Sequence, residues 1–171
     1  MDRQSYFFKV KAPDEVRDLL QTIASPLASE TIGIDECPGR IPAEDIHSPL
    51  DLPGFERSTM DGFAVRAADT EGAMVNAPLV LRCEAGRAFY LDTGDPLPEW
   101  ADAVIPIENV EPLNAQELPD SNLRRPHAIR IRAAVTPWSH VRPLGEDMVA
   151  TQLVLPAGHT LRPVDLGAIA A

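Results

Sequence analysis

The sequence predicts an α+β fold that is mostly β, with a β-rich, barrel- or sandwich-like domain inserted into a discontinuous helical one. Three observations predict it. Seventeen prolines in 171 residues are about twice the usual share, and each one inside a helix costs it roughly 3 kcal/mol, which excludes a helical bundle. The centre of the chain offers short apolar runs separated by turn residues, the pattern of small strands. Helical periodicity is confined to the two ends. A helical domain I is therefore expected at 1–47 and 151–171, and a β-rich domain II at 48–150. A hydrophobic fraction of 44% is ordinary for a folded chain, and a chain of this size buries roughly two thirds of its unfolded surface.

Ala12 to Leu27 reads as an amphipathic helix. Pro13 suits its first position, and Asp14 and Glu15 complement the positive end of the helix dipole. Val16, Leu19, Leu20, Ile23 and Leu27 form one stripe, and Ser25-Pro26 ends or bends the last turn. Glu30 to Asp35 alternates as a short strand with Ile32 and Ile34 on one face, and Ile41 to Ile46 suggests a brief helix. From Ser48 to Gly62 proline and glycine crowd into a rigid loop. Strands are then expected at Phe63 to Arg66, Pro78 to Cys83, Arg87 to Leu91, Ala101 to Ile107 and Ala128 to Val135. Glu111 to His127 is polar and reads as a surface loop. After the turn Leu155-Pro156-Ala157-Gly158, Val164 to Ala171 turns helical, with Val164, Leu166, Ile169 and Ala170 placed to pack on the first helix. LGAIAA ends without a cap signal, so the natural polypeptide is expected to continue.

A net charge of −11 repels phosphate backbones and anionic lipid, which argues against a nucleic-acid binder or a membrane-surface protein. Cys37 and Cys83 sit in no CxxC pattern, so a reduced, cytoplasmic chain is favoured over a disulfide framework or a zinc site. The first residues lack the apolar stretch of a secretory signal, and no run approaches the length of a membrane span. Histidines 47, 127, 140 and 159 show no ligand-like spacing, and no P-loop, GxGxxG or GxSxG is present.

Three loops carry the candidate chemistry. In PLDLPGFERSTMDGFAVR, Asp61 stands at a turn before an apolar strand, where Gly62 admits a ligand or an unusual backbone angle. In DTGDPLP, Thr93 offers a hydroxyl and Gly94 an unobstructed amide for an oxyanion, on a loop stiffened by Pro96 and Pro98. In RPLGED, Glu146 and Asp147 stand beside a flexible glycine and present hard oxygens to Mg²⁺, which needs only one or two protein carboxylates. Arg57, Arg66 and Arg142 flank these loops and can balance an anion. Ordinary turn chemistry and surface pairing account for the same residues, so spacing alone leaves both readings open.

Four blocks, SPLDLPGFERSTMDGFAVRAAD at 48–69, TGDPLPEWADAVIPIE at 93–108, VRPLGEDM at 141–148 and LPAGHTLRPVDLGAIAA at 155–171, resemble in order the N-terminal half of the molybdopterin molybdenumtransferases, the family of bacterial MoeA and the C-terminal part of animal gephyrin. The resemblance implies domains I and II of that family and its reaction. Adenylyl-molybdopterin is hydrolysed, AMP leaves, and molybdate is coordinated by the exposed dithiolene with Mg²⁺ assisting. It places the family's functional residues on Asp61, Thr93 and Asp147, with Asp61 and Asp147 as metal ligands and Ser58, Met60, Gly62, Gly94 and Arg142 around the substrate. It also implies a homodimer with a site shared between subunits. Trp100 stands where the family usually has glycine, and Thr59 where it has alanine. The molybdopterin-binding domain of the family is not in this sequence, so the 171 residues alone are expected to be inactive. The alternative is a non-catalytic binding or dimerisation module of the same fold.

Overall fold

The computed structural model describes residues 10–25, 27–84 and 86–171. Strands dominate and helices are few. Helix α1 (Pro13–Ile23) starts with Pro13 in its first turn, and Glu15 accepts a hydrogen bond from the Ala12 amide at 3.2 Å. Its C-cap, Ala24, is extended, so the helix stops short of the expected Leu27; Pro26 lies outside the described residues. The apolar stripe forms as expected but is not buried, for Val16, Leu19, Leu20 and Ile23 are all exposed.

Two expectations for the next segment fail, each for its own reason. A strand at 30–35 needs a neighbour for its amides, and here the bonds close locally instead. Glu36 donates to the Gly33 carbonyl and Cys37 to that of Ile34, making a 3₁₀ turn at Ile34–Glu36. No helix forms over 41–46, because this stretch bonds to the C-terminal segment. Gly158 donates to the Pro42 carbonyl at 3.2 Å, Leu161 to that of Arg40 at 2.8 Å, and Ala157 to the Asp45 carboxylate at 2.7 Å.

Strand β1 (Ile46–His47) then pairs antiparallel with β10 (Leu153–Leu155), Ile46 opposite Leu155. The chain thus leaves toward its centre and returns at the same place. Between them lie β2 (Arg57–Ser58), β3 (Gly62–Val65), β4 (Leu79–Arg82), β5 (Ala88–Leu91), β6 (Ala103–Pro106), β7 (Val110–Leu113), β8 (Ala128–Ile131) and β9 (Val141–Arg142). They form two antiparallel three-stranded sheets, ordered β5-β3-β6 and β4-β8-β7, and a short β2-β9 ribbon. Among the described residues no sheet closes on itself, so the barrel is not formed.

The core joins the two sheets. Phe63, Val65, Ala88, Ala103 and Ile105 from the first pack with Leu81, Ile129 and Ile131 from the second. Burial of each large side chain contributes roughly 1.5–3 kcal/mol. The opposite face of β3 is covered too, by Leu91, Ala101 and Val104 around Ala64, with Leu97, Trp100 and Val141 packed alongside. Hence all four residues of β3 are buried, as its unbroken apolar run GFAV requires. The expected face of Leu79, Leu81 and Cys83 is inward, whereas Val80 and Arg82 are exposed.

Two stretches expected as loop contain strand: 48–62, which holds β2, and the polar segment that follows β6, which holds β7. β7 lies in the polar stretch 111–127, pairs with β8, and seats Leu113 with no exposed surface. Polar Glu111 and Pro112 hide this strand from composition, because its outer face carries charge: Glu111 bridges Arg130 at 3.1 Å and Arg132 at 3.0 Å. Helix α2 (Asp165–Ala170) packs on β10 rather than being held by α1, whose stripe stays exposed. Its anchor is Asp165, 6% exposed, which accepts hydrogen bonds from the Arg162 amide and guanidinium at 2.8–3.0 Å and lies 2.8 Å from His159 Nε2. These bonds favour the ionised form and hold this carboxyl well below the usual carboxylate range.

Candidate functional site

Ser58 organises the site through its backbone. Its amide donates to the Asp95 carbonyl at 3.0 Å, and its carbonyl accepts from the Gly94 amide at 2.8 Å. On its other side β2 pairs with β9, Ser58 opposite Val141 and Arg57 opposite Arg142. The segments holding Asp61, Thr93 and Arg142 therefore meet at one short strand, although up to 81 positions separate these residues in sequence. Ser58 itself is buried, and its hydroxyl donates to the Met60 carbonyl at 2.5 Å and accepts from the Met60 amide at 3.3 Å. That is a serine turn folding the chain into Asp61, and it occupies the Ser58 hydroxyl as both donor and acceptor.

Asp61 and Thr93 are in direct contact. One Asp61 oxygen accepts both the Thr93 amide at 2.8 Å and the Thr93 hydroxyl at 2.7 Å. These two bonds, with a smaller contribution from the Arg124 charge, hold the exposed Asp61 carboxyl below its ordinary value. The expectation that Thr93 and Gly94 offer free donors to an oxyanion meets a physical obstacle. Both Thr93 donors go to Asp61, the Gly94 amide goes to Ser58, and the Asp95 amide goes to Asp92. The loop positions a carboxylate.

Asp147 is held elsewhere. Both its oxygens bond Arg142 Nη2, while Arg142 Nε donates to Glu146 at 2.6 Å. Arg142 is thereby drawn into the RPLGED turn, and the two carboxylates raise its already high pKa. The turn is tied down by the Asp147 amide on the Leu52 carbonyl at 2.8 Å and the Gly145 amide on that of Pro53 at 2.9 Å. No hydrogen bond links Asp147 to Asp61 or Thr93 among the described residues, and no cluster of three or more metal-ligating side chains exists among them.

Gly62 has a packing role. A Cβ there would sit 2.1 Å from the Ile105 carbonyl oxygen of β6, so glycine is needed for strand approach inside the sheet. Gly94, by contrast, has φ +91° and open space around it. Of the flanking arginines, Arg57 lies over the Phe55 ring at 4.5 Å, and Arg66 donates to the Trp100 carbonyl at 3.2 Å. Trp100, the departure from the usual glycine, packs against the Ala64 side of β3.

Sequence reasoning missed Tyr90 and Arg124. The Tyr90 hydroxyl donates to Asp92 at 2.8 Å, Arg124 pairs with the same carboxylate at 3.0 Å, and its guanidinium covers the Tyr90 ring at 5.4 Å. Asp92 precedes Thr93, so this group adjoins the Asp61–Thr93 pair. Arg124 carried no signal, standing in a polar stretch 31 residues beyond Thr93.

Residues 11–171 match the family described as the MoeA N-terminal region, domain I and II. Molybdopterin molybdenumtransferase 2 of Mycobacterium tuberculosis is 35% identical over 155 residues, covering 82% of this chain and 35% of that protein. The molybdopterin molybdenumtransferase of Haemophilus influenzae is 30% identical over 168 residues, with coverage of 92% and 39%. A crystal structure of the molybdopterin biosynthesis MoeA protein from Pyrococcus horikoshii superposes with a TM-score of 0.78 at 32% identity, over 95% of this chain and 42% of that one. The chain therefore spans a little over a third of the length of the curated relatives it matches. Among the described residues no helix is long and apolar enough to cross a membrane.

Proposed function

Since the chain belongs to the family of MoeA N-terminal regions, domain I and II, with a role in molybdenum cofactor biosynthesis, we propose that it serves as that part of a molybdopterin molybdenumtransferase. Adenylyl-molybdopterin and molybdate are its substrates in this reading, and AMP is released. As domains I and II alone, the 171 residues are inactive in this reading. Domain I takes 1–47 and 151–171 and domain II takes 48–150; the return of the chain from β1 to β10 supports that division. The setting is the cytoplasm and the assembly a homodimer whose site is completed by the partner subunit.

The observation that carries the reading is Asp61, kept ionised by two donors of Thr93 and exposed at the surface. A fixed carboxylate beside a phosphoanhydride can orient the attacking water and accept its proton. One Asp61 oxygen is occupied by Thr93 and the other accepts no hydrogen bond from the described residues, so Asp61 fits a Mg²⁺ ligand. Asp147 joins it only by leaving Arg142. Bound Mg²⁺ would neutralise phosphate charge in an acidic protein. Gly94, Met60 and Arg142 border this surface, and Arg142 released from its turn meets an anion.

Asp61→Asn in the full-length polypeptide should lower molybdate-dependent AMP release about a hundredfold, the scale of a positioned acid–base group. Turnover near that of the parent protein would refute the assignment. A second reading, a non-catalytic binding or dimerisation module, is favoured by the exposed stripe of α1. It expects no AMP release from the full-length polypeptide at all.

A further inference from the structure

Asp61 and Thr93 meet at an exposed turn. Thr93, Gly94 and Asp95 are all exposed, and Gly94 has a left-handed φ of +91° with open space around it. Such a turn samples several conformations unless its neighbours hold it. Ser58 holds the far end, through the Gly94 amide and the Asp95 carbonyl. Asp92 forms the near end, its amide donating to the Asp95 carboxylate at 3.0 Å and its carbonyl accepting the Asp95 amide at 3.1 Å. The register of β3 with β5, carried one residue past Gly62 and Leu91, sets Asp61 opposite Asp92. Two carboxylates so placed repel each other. An aspartate at the head of a turn also competes for the amides that follow it.

The Asp92 carboxylate is instead taken up by the Tyr90 hydroxyl, which donates to it at 2.8 Å. Tyr90 is fixed from the core. It pairs with Phe63 across β3 and β5, the ring centroids are 5.6 Å apart, and Phe63 has no exposed surface. Arg124 bonds the same carboxylate, but 67% of its side chain is exposed, and a pair of that kind contributes little. Asp61, Phe63, Tyr90, Asp92 and Thr93 thus close a ring of contacts, from the start of β3 across to β5 and back. We propose that Tyr90 is a positioning residue: by binding the Asp92 carboxylate it keeps that charge from Asp61 and from the turn, and leaves both donors of Thr93 to Asp61. Its effect on turnover rests on the role proposed above for Asp61; its effect on Thr93 does not.

Tyr90→Phe in the full-length polypeptide keeps the ring and removes the hydroxyl. Hydrogen exchange of the Thr93 amide, followed by NMR, should accelerate about tenfold, the scale of one hydrogen bond to a charged group. The kcat of molybdate-dependent AMP release should fall by about the same factor with KM for molybdate unchanged, since a group is misplaced and no substrate contact is lost. Adding Asp92→Ala removes the competing charge and should restore both. Unchanged Thr93 exchange in the Tyr90→Phe protein overturns the proposal, and so does a loss that Asp92→Ala fails to restore, which would reduce Tyr90 to structural support. Faster exchange that Asp92→Ala restores, with AMP release undiminished throughout, upholds the role of Tyr90 and removes Asp61 from the reaction.

Discussion

Thr93 places its amide and its hydroxyl on one oxygen of Asp61, and both bonds are made to the ionised form. The carboxyl is therefore below its ordinary value in the folded protein. The stabilisation it brings is present above the usual carboxylate range and is lost as pH falls through the lowered value. Thr93→Val removes the hydroxyl bond and keeps the amide, so the Asp61 midpoint should move up toward that of a free aspartate. A side-chain carboxyl titration by NMR measures this, and an unmoved midpoint would show that Thr93 does not set the charge. Both residues were legible in the sequence as loop positions, but their partnership was not. Nothing local links positions 32 apart, and turn chemistry explained each equally well. The same holds for Arg142 and Asp147, read as anion and metal groups, which the turn folds onto each other.

At the scale of elements, β3 connects the fold to the site. Asp61 immediately precedes it, and it is buried on both faces between β5 and β6. Gly62→Ala puts a methyl against the β6 backbone, which must move by about an ångström. Overpacking of this kind costs about 1–3 kcal/mol, so the urea midpoint should fall with an unchanged slope. A midpoint equal to the parent's would show that the sheet relaxes freely there. The apolar run FAV announced this strand, and alternation announced β4. β7 was illegible because its two apolar residues, Val110 and Leu113, are separated by glutamate and proline and so show no alternation. The helix expected at 41–46 had the right local pattern, but bonds from the C-terminal segment proved stronger than propensity.

Across the whole molecule, the two three-stranded sheets share one core and should unfold together. Ile129 of β8 is fully buried in it, and Ile129→Ala should cost about 2–5 kcal/mol. Coincident transitions of far- and near-ultraviolet circular dichroism would report a single cooperative unit, and two separated transitions would show that the sheets are independent. The sequence by itself determined the β-rich class, the positions of five of the ten strands, the stripe of α1, the family and the loops that carry acid and hydroxyl groups. Each of these is written in near neighbours: a period, a proline, a short block of residues. Tertiary structure alone decided that the sheets stay open, that α1 keeps its apolar face exposed, and that the donors of Thr93 are spent on Asp61. Those outcomes depend on which distant groups compete for the same amide, carboxylate or apolar surface, and that competition exists only once the chain has folded.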